Sequence, residues 1–140
     1  MISAIDTSVL LDVCLPDARF LEGSRRAIAD AYARGALVIC EPVYAELAAQ
    51  FAARDELDRI LAESSIRVEP VAREAAFLAG RLFRSYRDSG GTRERIITDF
   101  MIGSHAATHA TNLISRDRGF YRRYFKDVAL TLTDPTESAS

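Results

Sequence analysis

Four acidic residues occupy positions in the sequence from which their side chains could act together. Three of them come shortly after apolar runs of strand length, and the fourth opens the helical stretch that leads into the apolar run Asn112–Ser115. Each one alone has an ordinary explanation, because an acidic side chain near a helix start caps the helix and suits its dipole. Crowded together, they would repel one another unless a cation neutralised them. These residues are Asp6, Glu46, Asp99 and Asp117.

A cation bound only by carboxylate oxygens would be Mg²⁺ or Mn²⁺ rather than Zn²⁺, since no cysteine or histidine joins the set. Such a cation lowers the pKa of a coordinated water and stabilises the charge that develops on a phosphodiester oxygen. Hydrolysis of the phosphodiester then needs no nucleophile from a side chain. The four acids therefore favour metal-dependent cleavage of a nucleic acid.

Basic residues surround the last of these acids. Arg116 and Arg118 flank Asp117 directly and are candidates to hold the phosphates of a nucleic acid. The next residues alternate cations with aromatic rings, a pattern that suits a single-stranded nucleic acid, although a solvated helix face with its aromatic side chains in the core stays an alternative. The net charge of −2 restricts any such binding to a local patch. The alternating residues are Phe120, Tyr121, Arg122, Arg123, Tyr124, Phe125 and Lys126.

Short β-type runs alternate with longer stretches of helical spacing, and this predicts βαβ units around a mostly parallel sheet. We expect a single α/β domain, a three-layer α/β/α sandwich. In such a sheet, ligands bind beyond the carboxyl ends of the strands, where three of the four acids fall. The predicted strands are Ile2–Ile5, Ala36–Cys40, Ile66–Val68 (or an extended link), Asn112–Ser115 and Val128–Leu132. The predicted helices are Thr7–Leu15, Arg19–Arg34, Val43–Arg54, Asp55–Ala62, Ala72–Arg87 and Ile97–Thr111.

The composition is that of an ordinary globular protein. With 140 residues, 49% of them hydrophobic, the chain fits one domain, which we expect to span residues 1–133 before a frayed tail at 134–140. No apolar run approaches the roughly 20 residues of a membrane-spanning helix. Cys14 and Cys40 lie far apart and form no metal-binding pattern. We therefore expect a soluble, cytoplasmic protein with two free thiols and no membrane partner.

The four acids lie in four short motifs: IDTSVLLD (Ile5–Asp12), PVYAEL (Pro42–Leu47), TDFMIGSHA (Thr98–Ala106) and LISRDRGF (Leu113–Phe120). In this order and spacing, the motifs resemble those of the PIN-domain nucleases, and among them the VapC-type toxins of bacterial toxin–antitoxin pairs. The resemblance covers essentially the whole chain. It implies a PIN-like fold and an acidic quartet, in which Asp6 and Asp99 are the most dependable metal ligands. Glu46 and Asp117 would complete the site or bind through water.

The resemblance also implies residues that support the site. Thr7 or Ser8 would orient Asp6 by hydrogen bonding, and Ser115 stands where the family commonly has a small hydroxyl residue. The third motif departs from the alanine-rich pattern of many relatives, and Gly103 within it would leave room above the metal.

The family implies an RNA substrate, Mg²⁺ or Mn²⁺, a homodimer, and a cognate antitoxin whose C-terminal segment blocks the active-site groove. Among these, the residues themselves indicate neither the homodimer nor the antitoxin. Two alternatives stay open. One is a non-catalytic module of the same fold that binds RNA or protein, and the other is an RNA-processing PIN nuclease that is not a toxin.

A pair of histidines competes with this interpretation. His105 and His109 are four residues apart, as zinc-binding histidines are, but the glutamate of an HExxH motif is absent. At 100° per residue they lie about 240° and 280° around the helix from Asp99, and so point away from the acids. We expect surface or interface histidines.

Overall fold

The computed structural model describes residues 1–92, 95–117 and 119–136. The strands in these residues are β1 (Ile2–Ile5), β2 (Ala36–Cys40), β3 (Ile66–Glu69), β4 (Asn112–Ser115) and β5 (Ala129–Leu132). They form one sheet of order β3-β2-β1-β4-β5, in which every neighbouring pair is parallel. The predicted parallel sheet is confirmed, and the segment that could also have been an extended link is strand β3.

Seven helices accompany the sheet in the same residues. They are α1 (Thr7–Cys14), α2 (Leu21–Arg34), α3 (Glu41–Ala48), α4 (Arg54–Glu63), α5 (Arg73–Asp88), α6 (Ile97–His109) and α7 (Phe120–Tyr124). The sheet is flanked by these helices as the predicted three-layer α/β/α fold requires. Helix α7 was not among the helices predicted from the sequence.

One predicted helix is wrong in its extent. The sequence predicted one helix over Val43–Arg54 and a second over Asp55–Ala62; the second is confirmed as α4, which begins at Arg54, but the first ends at Ala48. Helix α3 packs on β2, whereas α4 packs beside β3, where it buries Leu57 and Leu61. The chain therefore has to turn between the two helices, although its alanine-rich sequence there carries no helix-breaking signal.

The strand order fixes where a ligand can bind. The chain leaves β1 towards β2 and β3 on one side, then returns to β4 and β5 on the other side of β1. A crevice opens at the carboxyl ends of the two strands between which the order reverses, here β1 and β4. Asp6 lies at this point, and its N–H donates to the Ile114 carbonyl of β4 (2.9 Å).

The central strands supply most of the sheet's buried surface. Leu37, Val38 and Ile39 of β2 and Leu113 and Ile114 of β4 are almost completely buried. Strands covered on both faces read as continuous apolar runs, as the sequence indicated. The carboxyl ends of β1 and β4 are thus held by a packed core, which gives the adjoining polar residues a rigid base.

An aromatic cluster closes the core beside α6. Phe100 stacks edge-on against Phe120 and Tyr124, with ring centroids 4.9 Å and 5.4 Å apart. A Cβ at Gly103 would collide with the ring of Phe125. The expectation that Gly103 leaves room above a metal is wrong, because the phenylalanine ring fills that space and packing accounts for the glycine.

The expectation for His105 is also wrong. His105 is only 1% exposed, and its Nε2 lies 3.3 Å from Oε1 of Glu69 at the end of β3. Burial lowers the pKa of His105, and the charge of Glu69 opposes that shift in part. His109, one turn later, is exposed as expected. Neither histidine lines the cleft into which the four acids converge.

After β5 the chain turns back across the molecule. The N–H of Thr133 donates to the Ser115 carbonyl (3.0 Å), and that of Thr136 donates to the Arg19 carbonyl (2.5 Å). The first residues of the predicted tail, 134–136, thus lie against the start of α2, and residues 137–140 are outside the described part of the chain. None of the helices formed by the described residues is long and apolar enough to span a membrane.

Candidate active site

A cleft of about 400 Å³ opens at the carboxyl ends of β1 and β4. All four acids predicted from the sequence line it, together with the predicted Thr7, Ser8 and Arg116. Arg95 and two apolar residues complete its walls. The lining residues are Asp6, Thr7, Ser8, Leu11, Glu46, Arg95, Asp99, Ile102, Arg116 and Asp117.

Asp6 is the most deeply placed of the acids. It caps α1 by accepting a hydrogen bond from the Thr7 N–H (2.9 Å), and it accepts another from the Ser115 hydroxyl (2.8 Å). The hydroxyl of the buried Tyr121 also acts to lower the pKa of Asp6. Burial raises the pKa of Asp6 to about 6, although these hydrogen bonds act in the opposite direction. A group poised in this way accepts a proton readily when no cation is present.

Glu46 reaches the cleft from α3. The hydroxyl of Thr7 donates to Glu46 Oε1 (2.8 Å), so Thr7 serves both acids, Asp6 through its backbone and Glu46 through its side chain. Helix α3 places this exposed carboxylate beside α1 because Val43 and Leu47, on the adjoining side of the helix, are buried against the core.

Asp99 enters from the first turn of α6. Its Oδ2 accepts a hydrogen bond from the Ile96 N–H (3.0 Å), which caps the helix and fixes the side chain. The next residue, Phe100, is fully buried in the aromatic cluster. The opening turn of α6 is thereby anchored, and Asp99 stays at the mouth of the cleft.

Asp117 is linked to Asp6 through one serine. Ser115 is fully buried, and its hydroxyl accepts from the Asp117 N–H (2.9 Å) while it donates to Asp6 (2.8 Å). The Oδ1 atom of Asp117 accepts from the N–H groups of Gly119 (3.1 Å) and Phe120 (2.8 Å), at the start of α7. Ser115 thus positions two of the four acids at once.

Arg95 is a residue of the cleft that the sequence motifs did not reveal. Its Nη2 donates to Oδ2 of Asp117 at 2.5 Å, and its guanidinium lies 4.5 Å above the ring of Phe120. Arg95 precedes α6 in a segment without periodic pattern. Its partner lies 22 positions further along the chain, so no local spacing signalled this contact.

Arg116 lines the cleft but is bound elsewhere. Its guanidinium donates two hydrogen bonds to Asp12, from Nη2 to Oδ1 and from Nε to Oδ2 (3.0 Å). The same guanidinium lies 3.9 Å above the ring of Phe20. Asp12 is fully buried in α1 and also accepts from Ser24 (2.7 Å). The first sequence motif ends at this acid, but nothing in the sequence assigned it a role. Phosphate binding by Arg116 stays a prediction beside this structural role, and Arg118 is outside the described residues.

The basic and aromatic residues that alternate after Asp117 separate on folding. Arg122, Arg123 and Lys126 are exposed. Of the aromatic rings, Tyr124 is half-buried, and the others belong to the core. The buried rings are Phe120, Tyr121 and Phe125. The alternative interpretation, a solvated face over core aromatics, therefore describes the rings, while the cations remain available at the surface.

The donor chemistry of the cleft fits Mg²⁺ or Mn²⁺, because four carboxylates and the hydroxyls of Thr7 and Ser8 line it and no soft ligand does. No ready-made site exists, however: in residues 1–92, 95–117 and 119–136, no three carboxylate, imidazole or thiol groups stand close enough to hold one ion. The carboxylates are instead held by hydrogen bonds and an ion pair from the protein itself. Binding of a cation would require some of these contacts to exchange.

Comparison with known proteins places this arrangement in a family. The model of the PIN domain matches residues 4–126. No curated protein matches the chain by sequence.

Solved structures share its fold. A chain of the VapBC2 structure from Rickettsia felis, bound to a promoter DNA fragment, is 18% identical, with coverage of 96% of this chain and 100% of that one and a TM-score of 0.71. A chain of VapBC-1 from nontypeable Haemophilus influenzae is also 18% identical, with coverage of 94% and 98% and a TM-score of 0.66. A toxin–antitoxin complex from Klebsiella pneumoniae contains a chain that is 17% identical, with coverage of 85% and 89% and a TM-score of 0.63. The family match extends over most of the sequence and includes all four acids of the cleft, so the chain belongs to the PIN domain family.

Proposed function

We propose that the protein is a Mg²⁺- or Mn²⁺-dependent endoribonuclease that hydrolyses RNA phosphodiester bonds. We propose further that it acts in the cytoplasm as the VapC-type toxin of a toxin–antitoxin pair. The observation that carries the proposal is the convergence of four carboxylates from separate parts of the sequence on one cleft at the strand-order reversal. Acids that repel one another in this way are tolerated where a cation binds them.

Asp6 and Asp99 would hold the cation, and Glu46 and Asp117 would complete its site or bind it through water. Bound there, Mg²⁺ or Mn²⁺ would activate a water and stabilise negative charge on the phosphodiester. The contribution of the chain is to hold these acids in place. Ser115 fixes Asp6 relative to the backbone of Asp117, as the hydrogen bonds of 2.8 Å and 2.9 Å indicate.

The proton state of Asp6 matters for this chemistry. Burial raises the pKa of Asp6 to about 6, so at lower pH the side chain of the metal-free protein carries a proton. A cation has to displace that proton to bind, and metal binding should therefore weaken as the pH falls below about 6.

Surface arginines supply candidate contacts to the phosphates of RNA. Arg116 lines the cleft, and Arg118 follows Asp117 in sequence. Arg122 and Arg123 on α7 are exposed and would extend such a path along the surface. Because the rings beside them are mostly buried, these contacts would be to phosphates rather than to stacked bases.

A cognate antitoxin is the proposed protein partner. The structures from R. felis and H. influenzae are described as VapBC, and that from K. pneumoniae as a toxin–antitoxin complex. Each shares the fold over most of the chain, which supports an antitoxin for this protein as well. A homodimer is proposed from the family alone.

A non-catalytic binding module is the second candidate. It is favoured by the state of the carboxylates in the cleft. The protein's own groups already bind them, and among the described residues no three of them lie close enough together to hold one ion. An RNA-processing nuclease that is not a toxin would share the chemistry and differ only in its substrate and partner.

The decisive assay is cleavage of a pool of total small RNA by purified protein with Mg²⁺, with Mn²⁺ and with chelator. Asp6→Asn is purified identically, and Asp88→Asn on the exposed surface of α5 serves as the matched control. We expect discrete fragments with metal from the wild type and from Asp88→Asn, and none with chelator or from Asp6→Asn. Fragments that persist in Asp6→Asn contradict the proposal. Absence of cleavage together with no rise in melting temperature on addition of Mn²⁺ favours the binding module.

A further inference from the structure

We propose that Arg95 is a built-in counter-ion of the cleft: its guanidinium holds Asp117 in the metal-free protein and competes with the divalent cation for that carboxylate. Arg95 would thereby set the metal concentration at which the cleft becomes loaded. The inference rests on the proposed function, since it concerns the same acids, and it adds a residue that neither the motifs nor the family match assigns.

The geometry of the pair leaves one carboxylate oxygen for the arginine. Nη2 of Arg95 lies 2.5 Å from Oδ2 of Asp117, the oxygen that receives no backbone hydrogen bond in the described residues. The other oxygen, Oδ1, is held by the N–H groups of Gly119 and Phe120. The guanidinium therefore occupies the oxygen that is free to bind a cation from the cleft.

The charges around Arg95 stabilise its guanidinium. Burial alone would lower the pKa of Arg95, but the hydrogen bond and charge of Asp117, with the charge of Asp99, more than offset it and leave the pKa raised. Two of the acids thus act on the same cation. One positive charge at this position relieves part of the repulsion that would otherwise require a metal ion.

The accessibility of the pair makes exchange feasible. The side chains of Arg95 and Asp117 are 33% and 19% exposed, and both line the cleft. Breaking the pair therefore leaves both charges able to reach water or a cation. The ring of Phe120, 4.5 Å below the guanidinium, offers a second support that does not depend on Asp117.

The experiment is calorimetric titration of the metal-free protein with Mn²⁺ alone, so that no activity is involved. Arg95→Gln and Arg95→Met both remove the competing charge, and the methionine is long enough to cover the ring of Phe120 in place of the guanidinium. The matched control is Arg84→Gln, which breaks an exposed arginine–carboxylate pair on α5. We expect both Arg95 variants to bind Mn²⁺ about three- to tenfold more tightly than the wild type, since a partly exposed pair is worth about a kcal/mol. Arg84→Gln should match the wild type.

Competition at Asp117 can be separated from a general change in charge by a double-mutant cycle. In the Asp117→Asn background, the effect of Arg95→Gln on Mn²⁺ affinity should nearly vanish, because the contested carboxylate is gone. If Arg95→Gln tightens binding equally in both backgrounds, the arginine acts only through the overall potential and the proposal is overturned. Unchanged or weaker binding in both Arg95 variants also overturns it.

Asp6→Asn distinguishes a failure of this inference from a failure of the proposed function. If the wild type binds Mn²⁺ and Asp6→Asn does not, but Arg95→Gln leaves the affinity unchanged, only the role of Arg95 is refuted. If the wild type does not bind Mn²⁺ at all, both the counter-ion and the metal-dependent nuclease are refuted.

Discussion

Two arginine–aspartate pairs border the same cleft, and they differ in the burial of the acid. In the first, Arg116 binds Asp12, which is fully buried and also accepts a hydrogen bond from Ser24. In the second, Arg95 binds Asp117, which is 19% exposed and lines the cleft. The chemistry of the two pairs is the same, but their surroundings are not.

Burial decides which of the pairs can exchange its partner. When the counter-ion of a carboxylate without access to water leaves, the fold is destabilised by several kcal/mol. The Arg116–Asp12 pair should therefore stay formed, and it links the loop after β4 to helix α1. A carboxylate that faces a cleft can replace one cation by another. We therefore expect the Arg116–Asp12 pair to stabilise the fold around the cleft, and the Arg95–Asp117 pair to open when a cation binds.

The largest expected loss of stability follows removal of Arg116. Arg116→Ala leaves the buried Asp12 with only Ser24 as a side-chain partner among the described residues, and we expect the free energy of unfolding to fall by about 3–5 kcal/mol. Chemical denaturation of the metal-free protein measures it. A loss below about 1 kcal/mol, the value typical of an exposed pair, would show that this link is not structural.

Removal of Asp12 should destabilise the protein less than removal of Arg116. Asp12→Ala takes away the buried charge itself, and Arg116, whose side chain is 32% exposed, can turn to solvent. We expect a loss of about 2 kcal/mol from the cavity and the unpaired Ser24 hydroxyl. The double variant Asp12→Ala/Arg116→Ala should be no less stable than Arg116→Ala. Additive losses in the double variant would contradict this order.

Substitution of Asp6 should increase stability rather than decrease it, because burial raises the pKa of Asp6 from 3.8 to about 6. An acid whose pKa is raised by folding does not reduce the free energy of unfolding below about pH 4. It reduces it progressively as the pH rises, and the full reduction is reached above about pH 6. Asp6→Asn should therefore stabilise the metal-free protein at pH 7 by about 1–3 kcal/mol. Melting temperatures between pH 4 and pH 8 measure the gain. A gain that does not shrink towards pH 4 would refute burial of the Asp6 charge as its cause.

Removal of Arg95 should change stability least. Arg95→Ala breaks a pair whose members both reach water, so we expect a loss below about 1 kcal/mol in the metal-free protein. Denaturation under the conditions used for Arg116→Ala provides the direct comparison. Equal losses in the two variants would remove the distinction between a structural pair and an exchangeable one.

Most of the fold could be predicted from the sequence, because its signals are local. Continuous apolar runs such as Ala36–Cys40 and Asn112–Ser115 indicated buried parallel strands, and helical spacing between them indicated the crossovers. The break between α3 and α4 was predicted, but too late in the chain, because α3 ends at Ala48 where the alanine-rich sequence carries no helix-breaking signal. His105 looked like an exposed histidine because the position of Glu69 opposite it depends on the tertiary fold.

In the site, too, local features could be predicted from the sequence and contacts between distant residues could not. The four acids stand in recognisable motifs, and the structure brings all of them to one cleft. Their partners could not be predicted, because Arg95 meets Asp117 across 22 positions and Arg116 meets Asp12 across 104. Pairings of this kind depend on where the strand order reverses, and no spacing within one motif encodes them.

The most direct test of a metal site in this cleft is a crystal structure grown with Mn²⁺, with anomalous diffraction recorded to locate the ion. We predict an anomalous peak in the cleft, within coordination distance of the carboxylates of Asp6 and Asp99, with the Arg95 guanidinium withdrawn from Asp117 and the Arg116–Asp12 pair unchanged. An empty cleft at saturating Mn²⁺, or an ion bound only elsewhere on the surface, would contradict the assignment of these acids as a metal-dependent active site.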